Sequence, residues 1–187
     1  FLNNGTGPLT VPGGCEALNF IDLKNPQDED GWPDIEHLFI GGSVNGDPNI
    51  RRNFGIRDDI YNSTYAKLKN SQSFMVFPML MRPKSKGRII LRNKNPMAHP
   101  LIYPNYFSEK DDIRVMVDGM KEVLRIAEQP ALKNIGAKLY DTPIPNCKHL
   151  GFGTDAYFAC QAMHFTLTIY HISGTCKMGP KVDSTTV

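Results

Sequence analysis

The chain has 187 residues, 41% of them hydrophobic and 21% charged, with a formal net charge of +2. That length suits one domain or one large piece of a bigger protein, and it can bury a core without depending on disulfides. The charge gives no argument for a nucleic-acid or membrane surface, and no apolar run approaches the roughly 20 residues that span a bilayer.

In chain order, residues 1–33 are loop-dominated: "NNGTGPLTVPGG" and "NPQDEDGWPD" flank a short apolar piece, Ala17–Leu23. The alternation in "IEHLFIGG", Ile35–Gly42, predicts a strand. "GDPNIRRNFGIRDD" reads as a polar loop, and Ile60–Leu68 as a short helix. "SFMVFPMLMRP", "KSKG" and "RIILRN" together predict a β-hairpin, with Pro78 marking an edge strand or bulge. "PLIYPNYF" is a further short strand, broken at Pro104.

Ser108 and Asp111, three apart, resemble a capping box opening a helix. Ile113, Met116, Val117, Met120, Val123, Leu124 and Ala127 form its apolar face, and Pro130 ends it. Short helices are predicted over Ala131–Ile135 and, capped by Thr154 or Asp155, to about Met163. "FTLTIY" then runs extended into His171. Strands in the first half and helices after them predict an α+β fold, a mainly antiparallel β-sheet flanked by helices.

Three clusters carry chemistry. His171 stands before a loop holding Gly174 and Gly179. Imidazole changes charge near neutral pH, so it is either a general base at a cavity edge or a bland histidine before a turn. Cys147, His149, Cys160 and His164 are zinc-competent, but C-x-H holds its pair too close for the usual knuckle. A Cys147–Cys160 disulfide is the favoured reading, leaving Cys15 and Cys176 as free buried thiols. Between Asp59 and Glu109 stand eight Lys/Arg and no acid, which reads as a solvated strand edge rather than a nucleic-acid face. Sequons at Asn4 and Asn62 mark glycosylation sites and, with the cysteines, lean towards a secreted protein.

"YHISGTCKMGP", Tyr170–Pro180, resembles the active-site histidine motif of the glucose–methanol–choline (GMC) oxidoreductases. "NGTGPLT", Asn4–Thr10, and "KGRIILRNKNPMAHPLIYPNYFSEKDD" resemble further segments of that family, in order. "LGFGTDAYFAC" and "HFTLTIYH" are most similar to its insect branch, glucose dehydrogenases that use FAD and reduce a quinone. The resemblance implies a substrate-binding domain laid against an FAD-binding domain, spanning residues 1–187 and incomplete at both ends. It implies that His171 accepts the hydroxyl proton of an alcohol or sugar while hydride leaves for flavin N5, with quinone or oxygen taking the electrons.

Two loop positions depart from the motif, Ile172 and Ser173. The dinucleotide fingerprint and a second active-site His or Asn are expected outside this sequence, so the chain alone is expected to hold no FAD and to be inactive. The alternative is a non-catalytic secreted or binding fragment that keeps the fold.

Overall fold

Ile35 and His37 alternate onto one face of a strand, and both are fully buried. That strand is the centre of the fold. The computed structural model describes residues 3–4, 14–25, 31–46 and 48–186. Strand β1 (Cys15–Ile21), β2 (Ile35–Ile40) and β3 (Met75–Leu80) form an antiparallel sheet in that order. Ile35 faces both Ile21 and Leu80, and Ile40 faces both Cys15 and Met75. Pro78 sits on β3, an edge strand, where a missing N–H is tolerated. The architecture is α+β with antiparallel sheets, as the sequence predicts.

The predicted hairpin does not form. β4 (Arg88–Ile90) pairs instead with β5 (Leu101–Tyr103) in a separate two-stranded ribbon. The turn signal is local, but a distant carboxylate decides the path. Asp112, 3% exposed, accepts from the Lys84 N–H at 2.8 Å and the Ser85 N–H at 2.7 Å. This clamps the connection onto a helix, while β3 spends its ladder on β2. At Gly87 an added Cβ would lie 2.3 Å from the Tyr103 carbonyl oxygen, so only glycine lets β4 leave beside β5.

Burial opposes the Asp112 charge, but the hydrogen bonds from Ser85 and Lys84 outweigh it and hold the carboxyl below its usual range. A depressed folded-state pKa gives stability that is present above the ordinary Asp value, about 3.9, and is lost as pH falls through the lower folded value. Asp112→Asn should lower stability by about 1–3 kcal/mol at neutral pH and flatten this acid limb. Urea unfolding at several pH values checks it.

Helix α1 (Pro48–Asn53) occupies part of the stretch read as a polar loop. Its amphipathic signal is short and its stabilisation is tertiary: Phe54 stacks edge-on against Phe77 of β3 at 5.6 Å. Helix α2 (Asp58–Ile60) continues through a π turn, Tyr61–Tyr65, and a 3-10 turn, Ala66–Leu68. Helix α3 (Lys110–Ala127) is the predicted long helix, but its N-cap is Glu109 and no side chain caps it. Asp112, which could have served the first turn, is engaged with the connection at 84–85 instead.

Pro130 opens α4 (Pro130–Asn134), its missing N–H harmless at a helix start. Thr154 caps α5 (Asp155–His164), its hydroxyl accepting from the Tyr157 N–H at 3.1 Å.

Helix α3 is packed on two sides. Towards the sheet, Gly119 presses so closely on Ile35 that an added Cβ would lie 2.9 Å from Ile35 Cγ1. Beside it, His37 donates from Nε2 to the Gly119 carbonyl at 2.9 Å and accepts at Nδ1 from the Asn19 amide at 3.2 Å. On the other side, Val117, Met120 and Leu124 meet Tyr157, Phe158, Ile144 and the cysteine pair. The Tyr157 hydroxyl accepts from the Ile144 N–H at 3.2 Å, and burial raises its pKa.

Candidate functional site

Two features bracket the candidate site: a groove and the loop that follows it. The groove, about 360 Å³, is walled by Phe54, Ile56, Ile144 and Phe165, with Arg57 and His164 at its polar positions. Its walls are tied together by rings. Tyr65 packs on Phe165 at 6.0 Å and on Tyr140 at 6.4 Å, and the Tyr140 hydroxyl donates to the Thr64 carbonyl. Burial, then the neighbouring Tyr157 and Tyr140, push the Tyr65 phenol up to about 12, so it stays neutral at physiological pH.

The segment from Phe165 leads from this groove towards His171, but it is not the predicted strand. Ile169 and Tyr170 have φ of 39° and 63°, left-handed values that break an extended run. β-branched composition reports a fit to a pleated surface, and no strand among the described residues pairs with this segment. What positions it is a long-range tether: the Tyr170 hydroxyl donates to the Asn53 carbonyl, at the end of α1, at 3.0 Å. Nothing local in the sequence signals a contact across 117 positions.

His171 is exposed on the loop that follows and has no hydrogen-bonding partner among the described residues. Gly174 takes φ of 92°, which glycine adopts freely. Beyond it the chain folds on itself. Lys177 pairs with Asp183 at 3.3 Å, and Thr186 packs against Gly179 where any Cβ would clash. The Thr185 hydroxyl and N–H, with Lys177, hold the Asp183 carboxyl down at about 2. The arrangement presents an imidazole to solvent beside a self-supported loop.

The second cluster is resolved differently from a zinc knuckle. Cys147, on the 3-10 helix Pro145–Leu150, and Cys160, on α5, are joined by a disulfide. His164 stands one turn beyond Cys160, and His149 is exposed elsewhere on the 3-10 helix. Cys15 and Cys176 are free, but neither is buried as expected: Cys15, at the start of edge strand β1, is half-buried, and Cys176, on the loop after His171, is exposed. The basic side chains of β4 and its flanks are exposed, with Arg88 over the Tyr103 ring at 5.2 Å. Asn4 and Asn62 are both exposed, and the remainder of Asn4–Thr10 lies outside the described residues.

The profile of the GMC oxidoreductase family matches residues 83–187, more than half of the chain and all of the loop around His171. The chain belongs to the GMC oxidoreductase family. Among individual proteins, it is 38% identical to a glucose dehydrogenase (FAD, quinone) of Drosophila melanogaster over 114 residues, 61% of this chain and 18% of that protein. It is 34% identical to an oxygen-dependent choline dehydrogenase of Acinetobacter baumannii over 179 residues, 96% of this chain and 28% of that protein. It is also 24% identical over 197 residues to the Drosophila melanogaster neither inactivation nor afterpotential protein G, covering 98% of this chain and 32% of that one. The chain therefore spans about a fifth to a third of the length of these relatives. No helix among the described residues is long and apolar enough to cross a membrane.

Proposed function

We propose that this GMC chain forms the substrate side of an FAD-dependent oxidoreductase acting on the CH–OH group of an alcohol or sugar, with His171 as its base. The observation that carries the reading is the family match running through the His171 loop. A neutral imidazole at His171 would take the hydroxyl proton, which raises electron density on the carbinol carbon and favours loss of hydride from it. An aldehyde, ketone or lactone remains.

FAD supplies the hydride acceptor when bound. The sequence holds an exposed imidazole at His171 and no G-x-G-x-x-G fingerprint, so FAD would be held mainly by residues outside this sequence. A quinone or oxygen would be the final electron acceptor. Purified full-length protein should carry stoichiometric flavin that an alcohol or sugar bleaches without oxygen. Bound flavin that no such substrate reduces would favour the non-catalytic reading, a reading supported by a His171 ring without a hydrogen-bonding partner among the described residues.

The buried Cys147–Cys160 disulfide and the exposed sequons at Asn4 and Asn62 support a secreted location. A shift in mobility of the secreted protein on enzymatic deglycosylation is the expected result; an unchanged band with Asn62 intact would count against it.

A further inference from the structure

Cys147, Cys160 and His164 place one ligand atom each within 4.8 Å of one another. The cluster borders the groove through His164, and the proposed reaction assigns it no role. Cys160 and His164 are four apart on α5, so they share one helix face. Cys147 reaches the same point from the 3-10 helix. The His164 Nδ1 lies 3.6 Å from the Cys160 sulfur and 3.9 Å from the Cys147 sulfur.

A tetrahedral ion with metal–sulfur bonds near 2.3 Å and metal–nitrogen bonds near 2.05 Å requires sulfur–nitrogen edges of about 3.6 Å. Two of the three edges are thus already within a few tenths of an ångström of a metal site. Only the sulfur–sulfur edge is wrong, because a covalent bond closes it. We propose that the disulfide is the oxidised form of a three-ligand site for a zinc-class divalent ion, built from Cys147, Cys160 and His164.

The chemistry balances. A dithiol reductant gives two electrons and two protons to the disulfide and itself closes to a disulfide, leaving thiols at Cys147 and Cys160. The ion then displaces both thiol protons to solvent, and the sulfurs move apart to an edge of about 3.8 Å. His164 now directs Nδ1–H to the Cys160 carbonyl at 2.9 Å. Ligation moves that proton to the exposed Nε2 edge and frees Nδ1 for the ion. The fourth position is left for water. His164 and Asn146 both line the groove, which gives the ion a path from solvent.

The test uses the full chain with Cys15→Ser and Cys176→Ser, so that only this pair can report. A water-soluble trialkylphosphine reduces the disulfide, taking up the oxygen of one water, and is removed under anaerobic conditions so that it cannot compete for the ion. Co²⁺ is then titrated. The reduced protein should bind one Co²⁺ with a thiolate-to-cobalt charge-transfer band, and the oxidised protein should show none. His164→Ala should weaken binding about tenfold or more, and Cys147→Ser should halve the band or remove it.

Far-UV circular dichroism is followed in parallel. A reduced chain that loosens and refolds on adding Co²⁺ supports the site equally. No charge-transfer band in the reduced protein, or a band that His164→Ala leaves at full affinity, overturns it.

Discussion

Full-length enzyme carrying His171→Ala is expected to turn over about 10²–10⁴-fold more slowly than wild type, with KM changed far less. The size follows from the role. A positioned base acts on a proton that moves in the transition state, so its loss falls on kcat rather than on ground-state binding. His171 is exposed and has no hydrogen-bonding partner among the described residues, and the tether that holds its segment comes from Tyr170. The variant should therefore keep its flavin and its unfolding temperature. Steady-state kinetics with thermal unfolding separates this from a folding defect; a His171→Ala enzyme with turnover within threefold or so of wild type would remove the base assignment.

His37 shows the opposite pattern, a histidine whose removal costs stability and no chemistry. It is fully buried between β2 and α3, with both ring nitrogens bonded. His37→Ala opens a cavity at the closest approach of helix and sheet and leaves the Asn19 amide without its acceptor. A loss of about 2–4 kcal/mol is expected. His37→Leu restores volume but not the acceptor and should recover only part of it. Urea unfolding of both variants decides this; a loss under about 0.5 kcal/mol for His37→Ala would mean that the packing is not what holds α3 to the sheet.

These two histidines mark what the sequence could and could not tell. Alternation in Ile35–Ile40 and the apolar face of α3 are local patterns, and both elements form where those patterns fall. The Cys147–Cys160 pairing was equally readable, since a closed loop of 13 positions is short. Two features settled by a distant partner were not legible. The hairpin at 74–92 was undone by Asp112, which lies on another element and captures the connecting N–H groups. The extended run into His171 was undone by left-handed backbone at Ile169 and Tyr170 and by the tether to Asn53.

His37 carries no local signature of its structural role, because its partners are 18 and 82 positions away. The motif around His171 was legible as a family likeness, and the match over residues 83–187 carries that likeness. The base role proposed for His171, by contrast, has no signature in the fold and is a matter for kinetics.

The most direct measurement is the anaerobic rate of flavin bleaching when full-length enzyme meets saturating alcohol or sugar, followed across pH. A base must be neutral to accept the proton, so wild type should bleach slowly at acid pH, speed up through one ionisation and reach a plateau. His171→Ala should bleach slowly throughout, with that ionisation missing from its profile. A variant that bleaches at the wild-type rate, with the same acid limb, would contradict the assignment of His171 as the proton acceptor.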